Sequence, residues 1–109
     1  MSRLPITTED GGPIINLPPV HPGEILSEEL TELGLSVDAL ARAIDVPARE
    51  LIEILSADRG ISAETALRLA RYLGTSAKFW MNLQQSYDLT VAQRDHGEAI
   101  GRDVRPRVA

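Results

Sequence analysis

The feature that most constrains this chain is its punctuation. Between His21 and Gly74, short runs with apolar residues at helical spacing alternate with residues that stop one helix and start the next. "HPGEILSEELTELG" places Leu26, Leu30 and Leu33 on one stripe, with Pro22 suited to a first turn and Gly34 to a left-handed stop. Ser36 then caps "VDALARAI", in which Leu40 and Ile44 face inward and Ala41 permits close helix approach. Asp45 falls where the joint requires a positive φ, which Asp tolerates better than most residues. Pro47 opens a third run with Leu51, Ile54 and Leu55 on one face. Ser62 opens a fourth, with Ala66, Leu69, Ala70 and Leu73 inward and Gly74 as the stop. A fifth helix follows Thr75, carries the stripe Phe79, Trp80, Leu83 and Tyr87, and is expected to end near Asp95, before "HGEAIG". No alternating strand pattern competes, so the fold class is all-α, five short helices with brief joints.

Length and charge narrow the function. A chain of 109 residues is one domain with a modest core. The expected layout is a flexible N-terminal arm over residues 1–20, a helical domain over 21–96 and a C-terminal tail over 97–109. "PIINL" (residues 13–17) is the arm's one apolar patch, read as part of a loose arm or as a segment that docks on a partner. There is no cysteine, hence no disulfide or thiolate metal site, and a cytosolic setting fits. No apolar run approaches the ~20 residues of a membrane span.

Net charge is −5, which disfavours a polyanion partner, but its distribution matters more. Glu24, Glu28, Glu29, Glu32 and Asp38 follow one another with no base between them. From Arg42 to Arg71 acids and bases balance, five of each. Arg102, Arg105 and Arg107 near the C-terminus suit either a solvated tail or phosphate contacts. The acids of the first helix form either a solvated face or a docking face for a basic partner.

Chemistry is not indicated. His21 and His96 lack metal spacing, and His21 suits a cap or solvent position better than a ligand. No phosphate loop, nucleophile elbow or base-paired nucleophile is present. The chain is not expected to be an enzyme or to need a cofactor or metal.

The second and third runs, joined through "DVP", have helix-turn-helix spacing. Together with "HPGEIL", "LARAIDVP", "RGISAETALRLARYLGTSAKFWMNLQ" and "YDL", they closely resemble the HigA-type antitoxins of bacterial toxin–antitoxin modules, within the lambda-repressor-like family, over about residues 20–90. The resemblance implies a five-helix domain that dimerises largely through its last helix and represses its own promoter at a palindromic operator. It also implies neutralisation of a small basic toxin, typically an mRNA endonuclease, in the bacterial cytoplasm. A stand-alone helix-turn-helix regulator, or a toxin-binding module with weakened DNA binding, is the alternative.

Carried over by position, the DNA-binding residues would be Ser36, Arg49, Glu50, Ile52, Glu53, Ser56 and Arg59. The dimer interface would take Phe79, Trp80, Leu83 and Tyr87, a stripe that also suits the core. Glu24, Glu28, Glu29 and Glu32 are the candidates for toxin binding. The third helix departs from the family's common "VPxxRISEIVNGKR". Glu50 stands where Arg is common, Ile52 where Ser is, Ser56 where Asn is, and Ala57–Asp58 where Gly-Lys is. Fewer bases near phosphates weaken affinity and flatten its salt dependence. Base reading remains open to Arg49 at guanine, Ile52 at a thymine methyl, and Glu50 or Glu53 at a cytosine amine.

Overall fold

The computed structural model describes residues 19–108. Five helices run in order: α1 Pro22–Leu33, α2 Val37–Ile44, α3 Ala48–Leu55, α4 Ala63–Leu73 and α5 Ala77–Asp103. The arm expected over residues 1–20, "PIINL" included, lies outside the described residues except for Pro19 and Val20.

The punctuation acts as read. Ser36, Ser62 and Ser76 each accept a backbone N–H three residues on, and Gly34, Asp45 and Gly74 close α1, α2 and α4 in the left-handed region. His21 caps α1: its Nδ1 accepts the Gly23 N–H at 2.9 Å, and its ring meets Tyr87 of α5 edge-on at 4.8 Å between centroids. The imidazole is buried and acts as the cap of α1. Gly23 permits α1 to cross the end of α3, since a Cβ there would overlap the Ile54 carbonyl.

One core joins all five helices: Leu26 and Leu30 from α1, Leu40 and Ile44 from α2, Leu51 and Ile54 from α3, Ala66 and Leu69 from α4, and Trp80 from α5. Each fully buried aliphatic side chain contributes roughly 1.5–3 kcal/mol. None of the described helices is long and apolar enough to cross a membrane.

Two expectations are corrected. The last helix does not stop near Asp95 but continues through Gly97 and Gly101 to Asp103, so a domain boundary at residue 96 falls inside it. A helical glycine costs about 1 kcal/mol; here each stands alone, and propagation from an existing helix is far easier than nucleation. Trp80, expected at the dimer interface, is 1% exposed, and its indole N–H donates to Thr75 Oγ1 at 2.7 Å. It is a core residue, because the α5 stripe turns toward α4. Of its neighbours, Leu83 and Tyr87 are half-buried, and Phe79 is exposed with its ring edge-on to Trp80.

Trp80→Ala is expected to destabilise the fold by about 3–5 kcal/mol, with the urea midpoint displaced accordingly. A loss below about 1 kcal/mol would show that the indole is not central to the core.

Candidate nucleic-acid interface

α3 is eight residues long and is held by one face. Leu51 and Ile54 are fully buried, which fixes its rotation and turns Arg49, Ile52 and Ser56 outward. Ile52 is 52% exposed, an apolar side chain in the middle of an otherwise polar surface. The Arg49 side chain is 87% exposed. Ser36, at the start of α2, is exposed. Its Oγ accepts the Ala39 N–H at 3.1 Å, leaving its own O–H free to donate. Ser56 spends its hydroxyl on the Ile52 carbonyl at 2.9 Å.

The two glutamates of α3 behave differently from free acids. Glu50 does not lie on the open face with Arg49 and Ile52. It is half-buried, and its Oε2 accepts from Thr65 Oγ1 at 3.0 Å. Thr65 in turn belongs to the cap of α4, where Ser62 Oγ accepts the Thr65 N–H. The carboxylate therefore sits in the first turn of α3 and beside the start of α4, where the helix dipoles favour an anion. That is a structural reason for an acid at a position where Arg is common.

Glu53 is engaged as well. Its Oε1 accepts from Arg59 Nε at 2.8 Å and lies 2.7 Å from Arg59 Nη2, while its Oε2 lies 3.5 Å from Arg49 Nε. The Arg59 hydrogen bond, aided by the charges of Arg59 and Arg49 against the opposing effect of partial burial, holds the Glu53 carboxyl below the usual carboxylate range. Both carboxylates expected to be free for a cytosine amine thus already have protein partners.

The segment after α3 explains a third departure. Ala57 has φ 63°, in the left-handed region, where an L-residue costs roughly 1–2 kcal/mol and glycine does not. Glycine would avoid that cost, and this chain's alanine carries it. The segment is pinned on both sides: the Asp58 N–H donates to the Glu53 carbonyl at 2.8 Å, and the Ile61 N–H donates to Gln84 Oε1 at 2.7 Å. A Cβ at residue 60 would come within 2.9 Å of the Gln84 amide, so Gly60 leaves that side chain room to reach the Ile61 N–H.

Two contributors were not visible in the sequence. Arg68 of α4 donates through Nη1 to the Ile44 and Asp45 carbonyls at 2.9 and 3.3 Å while Glu64 holds its Nε and Nη2, so α4 clamps the turn between α2 and α3. Gln84 is buried and bridges the Ile61 N–H to Asp88. The backbone groups they hold, at Ile44, Asp45 and Ile61, lie more than twenty residues away, and no local spacing signals such contacts.

The acids of α1 lie elsewhere. Glu24, Glu28 and Glu32 are exposed at successive i, i+4 positions, with Glu29 half-buried beside them. Among the described residues no basic side chain is paired with any of them. Nor do the described residues contain a cluster of three or more histidines, cysteines or acids able to hold a metal ion.

A pair of short helices locked by a third, with the second presenting its outer face, is a helix-turn-helix unit, and the helix-turn-helix family model matches residues 26–80. Virulence-associated protein I of Dichelobacter nodosus is 51% identical over 80 residues, covering 72% of this chain and 74% of that protein. Among solved structures, the Pseudomonas aeruginosa antitoxin HigA with its higBA promoter matches at 48% identity and a TM-score of 0.80, over 83% of this chain and 99% of that one. An addiction-module antidote protein of the HigA family from Coxiella burnetii matches at 43% identity and a TM-score of 0.81, over 84% of this chain and all of that one. The chain belongs to the helix-turn-helix family, on its HigA-type antitoxin branch.

Ala57→Gly is expected to raise stability by about 0.5–1 kcal/mol, the relieved strain exceeding the added chain entropy. A higher thermal midpoint with unchanged circular dichroism would register it; an unchanged or lower midpoint would mean the left-handed alanine is not strained.

Proposed function

We propose that this protein is an antitoxin that, as a dimer, binds the operator of its own operon and represses it, and that also binds and neutralises a small basic RNase-type toxin. The observation that carries the DNA half is the open face of α3. Arg49 and Ile52 point away from the core on a unit 48% identical to a promoter-bound relative. Two copies would place their reading helices one DNA turn apart, ~34 Å. For the dimer contact, α5 offers Phe79 and, further along, Leu89 and Ile100, which share one stripe and are more than half exposed.

With Glu50 and Asp58 where bases are common in the family, few phosphates are neutralised, so affinity is modest and its salt dependence shallow. The same acids favour the second reading, a toxin-binding module whose DNA binding has weakened. A gel-shift with the protein's own promoter DNA separates the two. Retardation at 50 mM salt that fades by less than about a hundredfold in affinity at 200 mM supports the repressor. No retardation at the lower salt, with or without toxin, removes that role.

The toxin half rests on α1, where exposed acids present a negative surface with no paired base among the described residues. Reversing Glu28 and Glu32 to lysine should weaken the complex with a small basic protein encoded beside this chain by about tenfold, as read by calorimetry. Unchanged affinity would move the docking face away from α1.

A further inference from the structure

An arginine guanidinium has two edges that can grip a pair of acceptors, Nε with Nη2 and Nη1 with Nη2. In Arg59 the first is taken: Glu53 Oε1 lies 2.8 Å from Nε and 2.7 Å from Nη2. Among the described residues nothing accepts from Nη1. The backbone beneath is already fixed, by the Asp58 N–H on the Glu53 carbonyl and by Gln84 on the Ile61 N–H. What remains loose is the long side chain, and Glu53 restrains it. The Arg59 side chain is nonetheless 48% exposed.

We propose that Glu53 is a positioning residue for base reading: by gripping the Nε edge of Arg59 it presents the Nη1–Nη2 edge as a preset fork for the N7 and O6 of a guanine. This rests on the DNA-binding reading above. A guanine matches such a fork in the major groove, and a rigid fork loses less freedom on binding than a free arginine does.

The sign of one substitution tests it. Removing an acid from a DNA-facing helix strengthens binding if charge alone matters; it weakens binding if the acid orients the arginine. Glu53→Gln is therefore expected to bind promoter DNA about three- to tenfold more weakly than the native protein, with its melting temperature little changed. Arg59→Lys, which has no fork, should lose a similar factor, and Glu53→Gln should cost nothing further in an Arg59→Ala background. Replacing promoter guanines with 7-deazaguanine should weaken the native protein by a larger factor than it weakens Glu53→Gln. Equal or tighter binding by Glu53→Gln overturns the proposal. A deaza substitution that costs the native protein nothing overturns the assignment to guanine, leaving a phosphate as the acceptor.

One readout needs no DNA. The Arg59 Nε–H should exchange slowly in the free native protein by NMR and quickly in Glu53→Gln. Because the Glu53 carboxyl titrates below its ordinary range, the protection should hold at neutral and mildly acidic pH and be lost as pH falls through that lowered midpoint. Equally fast exchange in both proteins shows that the grip is absent and defeats the inference even if the protein binds DNA. Slow exchange in a protein that ignores its promoter would instead preserve the grip and defeat the DNA reading.

Discussion

An eight-residue helix is not stable in water by itself, since its first turn fixes several residues for a single hydrogen bond. α3 exists because Leu51 and Ile54 are removed from solvent completely. Those two side chains do more than hold the helix. They set its rotation, and the rotation decides that Arg49 and Ile52 face outward while Glu50 turns to α4. The surface this protein offers is therefore a consequence of its core, and a slip of one residue in the packing would present a different set of side chains. Arg68 and Gln84 act on the same constraint from outside, holding the turn before α3 and the loop after it.

The charge on α3 takes on a different meaning once its partners are known. A count over Ala48 to Arg59 finds three acids and two bases, a poor balance for contact with a polyanion. Two of the acids are committed: Glu50 to the α4 cap and Glu53 to Arg59 and Arg49. Each lies where a positive helix end or a guanidinium offsets it. Asp58 alone remains an exposed carboxylate with no described ion-pair partner. Local neutralisation, rather than the formal total, describes what a nearby phosphate would encounter.

Much of the fold was legible in the sequence because caps and stops are local chemistry. Ser36, Ser62, Gly34, Gly74 and Asp45 act within a few residues of themselves, so their roles survive folding unchanged. The apolar stripes were equally plain. What could not be read depended on distance. Trp80 and Phe79 are adjacent and similarly apolar, and only the packing of α5 on α4 decides that one is core and the other surface. Ala57 stands out against the family's glycine, but the reason, a positive φ, is a property of the backbone. The end of α5 lies beyond the point its glycines suggest, because glycines that stop a nucleating helix need not stop one already propagating.

That long helix has a further consequence. Up to Gln84 its side chains reach the core; beyond Gln84 none is buried. Its outer turns, two glycines included, are held mainly by their own backbone hydrogen bonds. One continuous element thus spans a gradient, from turns that open only when the whole domain unfolds to turns that open on their own at small cost. Amide exchange along α5 would read as a ramp rather than a plateau. Warming would fray the outer end before it loosens the turns that face the core.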